Sequence, residues 1–161
     1  MAKTYKKKQD KLRHKTQKNT SINKPVDNHN ISLIVQTLLE ILTTVKLYHW
    51  NTLSYAQHKA TDQLYDELND SIDTFVEILL GKNDRRIGKL ASVCRQYDFK
   101  QKNDNKEPDA VMFKQKIFEY RHFLTELNRG FSVKKDSDLL NVRDEILGQL
   151  NQFLYLLSFT K

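Results

Sequence analysis

The chain has 161 residues, of which 29% are charged and 39% hydrophobic, with only four glycines and two prolines. This length suits one domain with a sizeable core, and the shortage of Gly and Pro favours long helices over sheets. The single cysteine, Cys94, excludes an intrachain disulfide. The polybasic N-terminus is not followed by an apolar run, so no secretory signal is expected.

The net charge of +7 is concentrated at the N-terminus. Residues 1–25 contain nine basic residues and one acidic residue (+8), whereas the rest of the chain contains 18 basic and 19 acidic residues (−1). Residues 1–28 also contain almost none of the large apolar side chains that offset the entropy of ordering, which predicts a flexible basic arm. Such an arm suits sequence-independent contact with nucleic-acid phosphates, and a solubility tail is the alternative. The predicted contacts are Lys3, Lys6, Lys7, Lys8, Lys11, Arg13, Lys15 and Lys18.

Residues 29–161 are predicted to form one helical domain that begins with two long helices. The first covers residues 30–50, and the polar and charged side chains within it argue against a membrane span. The second covers residues 55–80, with a capping box formed by Ser54 and Gln57 at its start and Gly81 as its C-cap. Apolar residues at helical spacing define the core faces. These are Ile31, Ile34, Leu38, Leu42 and Val45 on the first helix, and Leu64, Leu68, Ile72, Phe75 and Leu79 on the second.

Residues 82–107 are predicted to be a long polar connection, with one short helix at residues 88–96. The third helix is expected from Pro108 to Gly130, with a core face of Phe113, Ile117, Tyr120, Leu124 and Leu127. The fourth begins after Lys135 with the core face Leu139, Ile146, Leu150, Phe153 and Leu157, and Gly148 is expected to permit close helix approach. Four helices with a central crossover predict an all-α, ferritin-like four-helix bundle.

Two imidazoles and three carboxylates lie within 29 residues of the first two helices: His49, His58, Asp62, Asp73 and Glu77. Each taken alone is more simply a buried histidine or a solvated acid. Together they are ligands of the kind that iron, zinc or manganese binds, and the last four share one flank of the second helix. His58 and Asp73 are roughly 22 Å apart along that helix, so one chain cannot bring them to one ion. Antiparallel packing of the helix against its own copy would do so, which predicts an intersubunit site or no site.

The elements His49-Trp50-Asn51, His58-x-x-x-Asp62 and Asp73-x-x-x-Glu77 resemble the ferroxidase signature of Dps miniferritins. The interval from His49 to His58 is shorter than in typical members, as in proteins of phages and large viruses. The resemblance implies a ferritin-like bundle that dimerises about a two-fold axis and assembles into a dodecamer. It also implies a dinuclear iron site, with ligands His49, His58 and Asp62 from one subunit and Asp73 and Glu77 from its partner.

By the same resemblance, the protein would oxidise Fe(II) with hydrogen peroxide or dioxygen, store the iron and protect DNA. Trp50 would intercept radicals, and the basic arm would bind DNA without sequence preference. A cytoplasmic or nucleoid-associated location is expected, with the virion as an alternative and no association with membranes. The alternative function is a structural or DNA-packaging protein that has the fold but not the iron chemistry.

A ferritin-type site inside one subunit is the competing metal hypothesis. Glu119 and His122 supply one Glu-x-x-His element on the third helix, but their angular position relative to Ile117 and Tyr120 predicts that both face outward. The fourth helix offers Glu145 without a histidine three residues later. This hypothesis fails on spacing.

Overall fold

The structure is a computed structural model that describes residues 28–84, 86–87 and 110–159. These residues form four α-helices, α1 (Asn28–Asn51), α2 (Tyr55–Asn83), α3 (Ala110–Glu126) and α4 (Ser137–Leu157), and a 3-10 turn (Leu127–Arg129) prolongs α3. All regular structure in this part of the chain is helical, which confirms the all-α prediction. The predicted arm up to residue 27, the short helix at residues 88–96 and most of the predicted crossover lie outside the described residues.

Side-chain contacts give the direction of each helix. The Tyr48 and Phe113 rings stack with centroids 3.8 Å apart, and the Thr44 hydroxyl lies 2.7 Å from that of Tyr120. The sequence numbers fall along α1 as they rise along α3, so these helices are antiparallel. Contacts between Ser71 and Gln149 and between Lys82 and Asp138 show that α2 and α4 are antiparallel in the same way. The start of α3 therefore lies at the end of the bundle where α1 finishes, and the end of α2 lies at the opposite end.

The core consists of the apolar faces that the sequence predicts. All five residues of the predicted face of α2 are buried. The five residues predicted for the third helix, which lie on α3 and its 3-10 turn, are buried as well. Leu42 on α1 and Leu157 on α4 are only partly buried, and their predicted companions are buried. Arg143 joins α4 to the end of α3, since its guanidinium donates to the Leu124 carbonyl (2.9 Å) and to Asn128 Oδ1 (3.0 Å). The Leu124 carbonyl lies in the last turn of α3, where helix carbonyls run out of intrahelical partners.

Two glycine predictions are wrong. Gly81 does not end α2, which continues to Asn83. Asp84 takes the left-handed conformation at φ 47° instead, and its N–H bonds the Gly81 carbonyl at 3.3 Å. Aspartate adopts this region more readily than most residues. Gly148 permits no close approach either, because a Cβ atom built there meets nothing within 4 Å.

The link between α1 and α2 brings the two ends of these helices together. Ser54 caps α2 by accepting the Gln57 N–H at 3.4 Å, which confirms half of the predicted capping box. The other half is wrong, because the Gln57 side chain is buried and does not turn back to Ser54. Its Oε1 accepts hydrogen bonds from Tyr48 (2.5 Å) and Thr52 (3.1 Å). This network ties the first turn of α2 to the last turns of α1.

By length and composition alone, α1 is apolar enough to cross a membrane, with a mean hydropathy of 1.4 over Ile31–Asn51. Half of that window is buried inside the protein. One such helix is weak evidence for a span, since the core helix of a soluble protein passes the same test. The prediction from the sequence that α1 does not cross a membrane therefore stays a prediction.

Candidate metal centre

His49 and His58 face each other across the α1–α2 link. Their rings stack with centroids 4.0 Å apart and an interplanar angle of 22°. The hydrogen bonds are reciprocal: His49 Nδ1 lies 3.1 Å from the His58 carbonyl oxygen, and His58 Nδ1 lies 3.1 Å from the His49 carbonyl oxygen. Each residue therefore fixes the ring of the other through its main chain.

These hydrogen bonds settle which ring nitrogens carry protons. A carbonyl oxygen can only accept, so both Nδ1 atoms must be N–H donors. In the neutral form, each Nε2 then has a free lone pair. Thr61, fully buried beside His49, donates to the Gln57 carbonyl at 2.7 Å. Its hydroxyl oxygen, 3.3 Å from His49 Nδ1, is left to act as a second acceptor. An Nδ1–H bonded to a backbone carbonyl is the usual arrangement of a metal-binding histidine.

Asp62 lies beside this pair, one helical turn after His58. Its Oδ1 atom is 3.7 Å from His49 Nε2, which is too long for a hydrogen bond. Two ligand atoms that bind one ion at about 2.1 Å each lie about 3.4 Å apart at the tetrahedral angle. The observed separation is thus close to that of two ligands on one ion. His49 thus lies next to both His58 and Asp62, and the prediction that these three residues share a metal ion stays a prediction.

Two lysines that spacing did not identify lie beside Asp62, and a tyrosine contacts one of them. Lys46 Nζ lies 4.0 Å from Oδ1, and Lys59 Nζ lies 4.0 Å from Oδ2. The Lys46 ammonium also lies over the Tyr65 ring, 4.3 Å from its centroid. Spacing could have revealed them, since Lys46 precedes His49 by three residues on α1 and Tyr65 follows Asp62 by three on α2.

Asp73 and Glu77 are exposed on α2, away from the imidazole pair. Asp73 follows Asp62 by 11 residues, which places it on the same flank but about 16 Å further along the helix. Within the part of the chain that the structure describes, no group of three or more His, Cys, Asp or Glu residues is arranged to hold a metal ion. Trp50, the predicted catalytic residue, is 67% exposed beside His49.

The residues of the competing hypothesis face solvent. Glu119, His122 and Glu145 are all exposed, and Glu119 pairs with Lys116 one turn earlier on α3. The outward orientation of Glu119 and His122 agrees with the sequence prediction. The eight basic residues predicted to contact nucleic acid, from Lys3 to Lys18, lie outside the described residues.

Residues 49–157 match the sequence profile of DUF5856, a family of unknown function. The chain belongs to this family. The matched range begins at His49 and contains all five predicted metal ligands, whereas the basic arm precedes it. No curated protein and no solved structure shows significant similarity to the chain.

Proposed function

We propose that this DUF5856 chain is a ferritin-like, iron-binding ferroxidase whose site is shared between two subunits. The observation that carries the proposal is the imidazole pair. His49 and His58 both direct Nδ1–H to a carbonyl, so both keep Nε2 free for a metal ion, and His49 Nε2 lies 3.7 Å from Asp62. If the two histidines only filled space in the core, there would be no reason for a carboxylate to lie beside His49 Nε2.

The helix directions support a ferritin-like bundle. α1 and α2 are consecutive and antiparallel, α3 is antiparallel to α1, and α4 is antiparallel to α2. An up-down-down-up bundle of this kind requires the chain to return from one end to the other between its second and third helices. The connection between Asn83 and Ala110 would be this crossover.

A second subunit would complete the ligand set. The imidazole pair and Asp62 supply at most three ligands in one chain, and iron prefers more when oxygen atoms contribute. Asp73 and Glu77 are exposed acids one turn apart, a like-charge pair that is mildly unfavourable unless a cation relieves it. If α2 packs antiparallel on its copy about a two-fold axis, these carboxylates approach the partner's imidazole pair. The same operation makes two identical sites.

Fe(II) would be the substrate of this site. Imidazole nitrogens suit the ferrous ion, while hard carboxylates favour Fe(III), so the mixed set favours the loss of an electron. Two Fe(II) ions would give one electron each to hydrogen peroxide, which takes up two protons and leaves as two waters; dioxygen is the other candidate oxidant. Exposed Trp50, next to His49 in the chain, would intercept radicals that escape. The stored iron would lie inside a closed shell, for which a dodecamer is the proposed assembly.

The first test replaces both exposed acids, as Asp73→Ala with Glu77→Ala. We expect Fe(II) oxidation, followed by absorbance after anaerobic loading and addition of peroxide, to fall to the rate of the uncatalysed reaction. The matched control is Asp66→Ala with Asp70→Ala, which removes another exposed acidic pair with the same spacing from the same helix. The control should oxidise Fe(II) at the wild-type rate.

Anomalous scattering at the iron edge checks the position of the site in crystals soaked in Fe(II). Signal between the imidazole pair of one chain and Asp73 of another supports the proposal. An α2 that faces solvent in the assembly, or a wild type without catalysed oxidation, would refute it. A structural or DNA-packaging protein would then be the better description.

The basic arm would add DNA binding to this function. Its eight Lys and Arg residues between Lys3 and Lys18 would release counterions from DNA, so affinity should fall steeply with salt. Deleting residues 1–25 should abolish the mobility shift of DNA and its salt dependence while Fe(II) oxidation continues. An unchanged shift would remove DNA from the proposal and leave the iron site untouched.

A further inference from the structure

The Lys46 ammonium lies next to the Asp62 carboxylate, which the metal ion would use as a ligand. It lies 4.0 Å from Asp62 Oδ1, the same oxygen that lies 3.7 Å from His49 Nε2. An ion bound between Oδ1 and Nε2 would therefore sit within a few ångströms of a fixed positive charge. Like charges at that distance repel strongly even at the effective dielectric of a protein surface.

Lys46 is held in place more firmly than a surface lysine. Its side chain is 27% exposed, against 60% for Lys59 on the other side of Asp62. The Tyr65 ring, 4.3 Å from the ammonium, contributes a cation–π contact. Lys46 comes from α1, whereas Asp62 and Tyr65 are on α2. The Lys46 side chain is thus more buried than that of Lys59 and contacts a second residue besides Asp62.

We propose that Lys46 is a built-in competitor of the metal ion at Asp62, and that it sets how tightly the site holds a cation. This inference rests on the proposed function, because it assumes that Asp62 and His49 bind the ion. In the ion-free chain the ammonium balances the charge of Asp62. When the ion binds, the ammonium stays beside Tyr65 and repels the metal ion. The repulsion grows with the charge of the ion, so it opposes retention of the oxidised ion more than that of the ferrous ion.

The test measures Zn²⁺ affinity by chelator competition, since Zn²⁺ has no redox chemistry and uses the same ligand types. Replacing Lys46→Met removes the charge and keeps a side chain of similar length. We expect it to bind Zn²⁺ about tenfold more tightly than the wild type, from the repulsion that it relieves. Lys46→Arg keeps the charge and should bind as the wild type does. Tighter binding cannot come from damage to the fold, which would only weaken the site.

Lys59→Met is the matched control, because Lys59 is equally far from Asp62 and its loss changes the net charge equally. We expect a change of less than about threefold, since an exposed lysine moves away at little cost. If Lys46→Met binds Zn²⁺ no more tightly than the wild type, the inference about Lys46 is wrong and the metal site stands. If the wild type binds no Zn²⁺, or if Asp62→Ala and His49→Ala leave its Zn²⁺ binding unchanged, the metal site itself is wrong.

Discussion

Neither His49 nor His58 depends on a charged partner for its orientation. Each ring is aligned by the main chain of the other residue, and the nine-residue interval between them covers the end of α1, the α1–α2 link and the start of α2. The shortened interval therefore produces a compact pair with stacked rings. Spacing predicted that His58 and Asp62 share one flank of the second helix, and the family resemblance added His49 to them. Neither could predict the reciprocal carbonyl bonds, because main-chain acceptors leave no mark in a sequence.

A second polar group in the core has no place in the proposed iron chemistry. Glu40 on α1 is only 8% exposed and accepts a hydrogen bond from the Tyr120 hydroxyl at 3.3 Å. The Tyr120 oxygen lies 2.7 Å from the Thr44 hydroxyl. Either hydroxyl can be the donor in that second contact. The result is a chain from Thr44 through Tyr120 to a carboxylate that joins α1 to α3 inside the apolar core.

Replacing Tyr120→Phe should destabilise the protein by about 1–3 kcal/mol, because it deprives the buried Glu40 carboxylate of a donor. The free energy of unfolding in urea measures this cost. Adding Glu40→Leu to Tyr120→Phe should restore much of the lost stability. In the double variant both side chains are apolar, so no carboxylate is buried without a donor. Thr44 can then bond a carbonyl in its own helix. A double variant less stable than Tyr120→Phe alone would show that Glu40 has partners other than this hydroxyl.

At the scale of whole helices, the pattern of apolar residues predicted the faces well and the ends less well. Burial of a helix face follows from a period repeated over many residues, so single exceptions such as Leu42 do not change it. A helix end depends on one or two residues. Asp84 ends α2 because its N–H can close the last turn three residues beyond Gly81, and glycine alone gave no reason to expect this. Gln57 likewise has partners on α1 that local spacing cannot reveal.

The end of α2 is tied to the start of α4 by Lys82. Its ammonium donates to the Lys135 carbonyl (2.7 Å) and to Asp138 Oδ1 (2.9 Å). The hydrogen bond to Asp138 raises the pKa of Lys82 above its ordinary 10.5, and the same bond lowers the pKa of Asp138 below its ordinary 3.8. The Lys82–Asp138 ion pair therefore stabilises the fold fully between the ordinary pKa of Asp138 (3.8) and that of Lys82 (10.5). This stabilisation is lost as the pH falls through the lowered pKa of Asp138, and as the pH rises through the raised pKa of Lys82.

Replacing Asp138→Asn should lower the thermal unfolding midpoint by a constant small amount between about pH 5 and pH 9. The difference from the wild type should shrink in strong acid, where Asp138 of the wild type becomes protonated as well. Differential scanning calorimetry across this range measures it. Asp70→Asn, at an exposed acid on α2, is the control for loss of one negative charge. A difference that persists unchanged into strong acid would show that Asp138 acts as an uncharged cap of α4.

For the whole molecule, the proposed function requires a second copy. One chain provides an imidazole pair with one carboxylate at one end of α2 and two exposed acids further along the same flank. Sequence spacing alone leads to this division, because the distance along a helix is fixed by the number of residues. The partner's position cannot be predicted from spacing. It depends on how well the exposed surfaces of α1 and α2 match their own copies.

Mixing two inactive variants tests the division directly. His58→Ala removes one imidazole, and Asp73→Ala with Glu77→Ala removes the acids that would serve the partner. In a mixed dimer, one site has lost both groups, while the other combines an intact imidazole pair from one chain with intact acids from the other. Equal amounts assembled at random should therefore regain about a quarter of the wild-type sites, and Fe(II) oxidation should recover in proportion.

A site contained in one chain cannot recover in this way, because every chain in the mixture carries a defect. Different affinity tags on the two variants, purified in sequence, select assemblies that contain both variants. Such assemblies with equal amounts of the two variants should oxidise Fe(II) at about a quarter of the wild-type rate, since about half of the randomly paired dimers are mixed and each of these has one intact site. If the two variants are each inactive and their mixed assemblies are inactive too, the division of the site between two subunits is wrong.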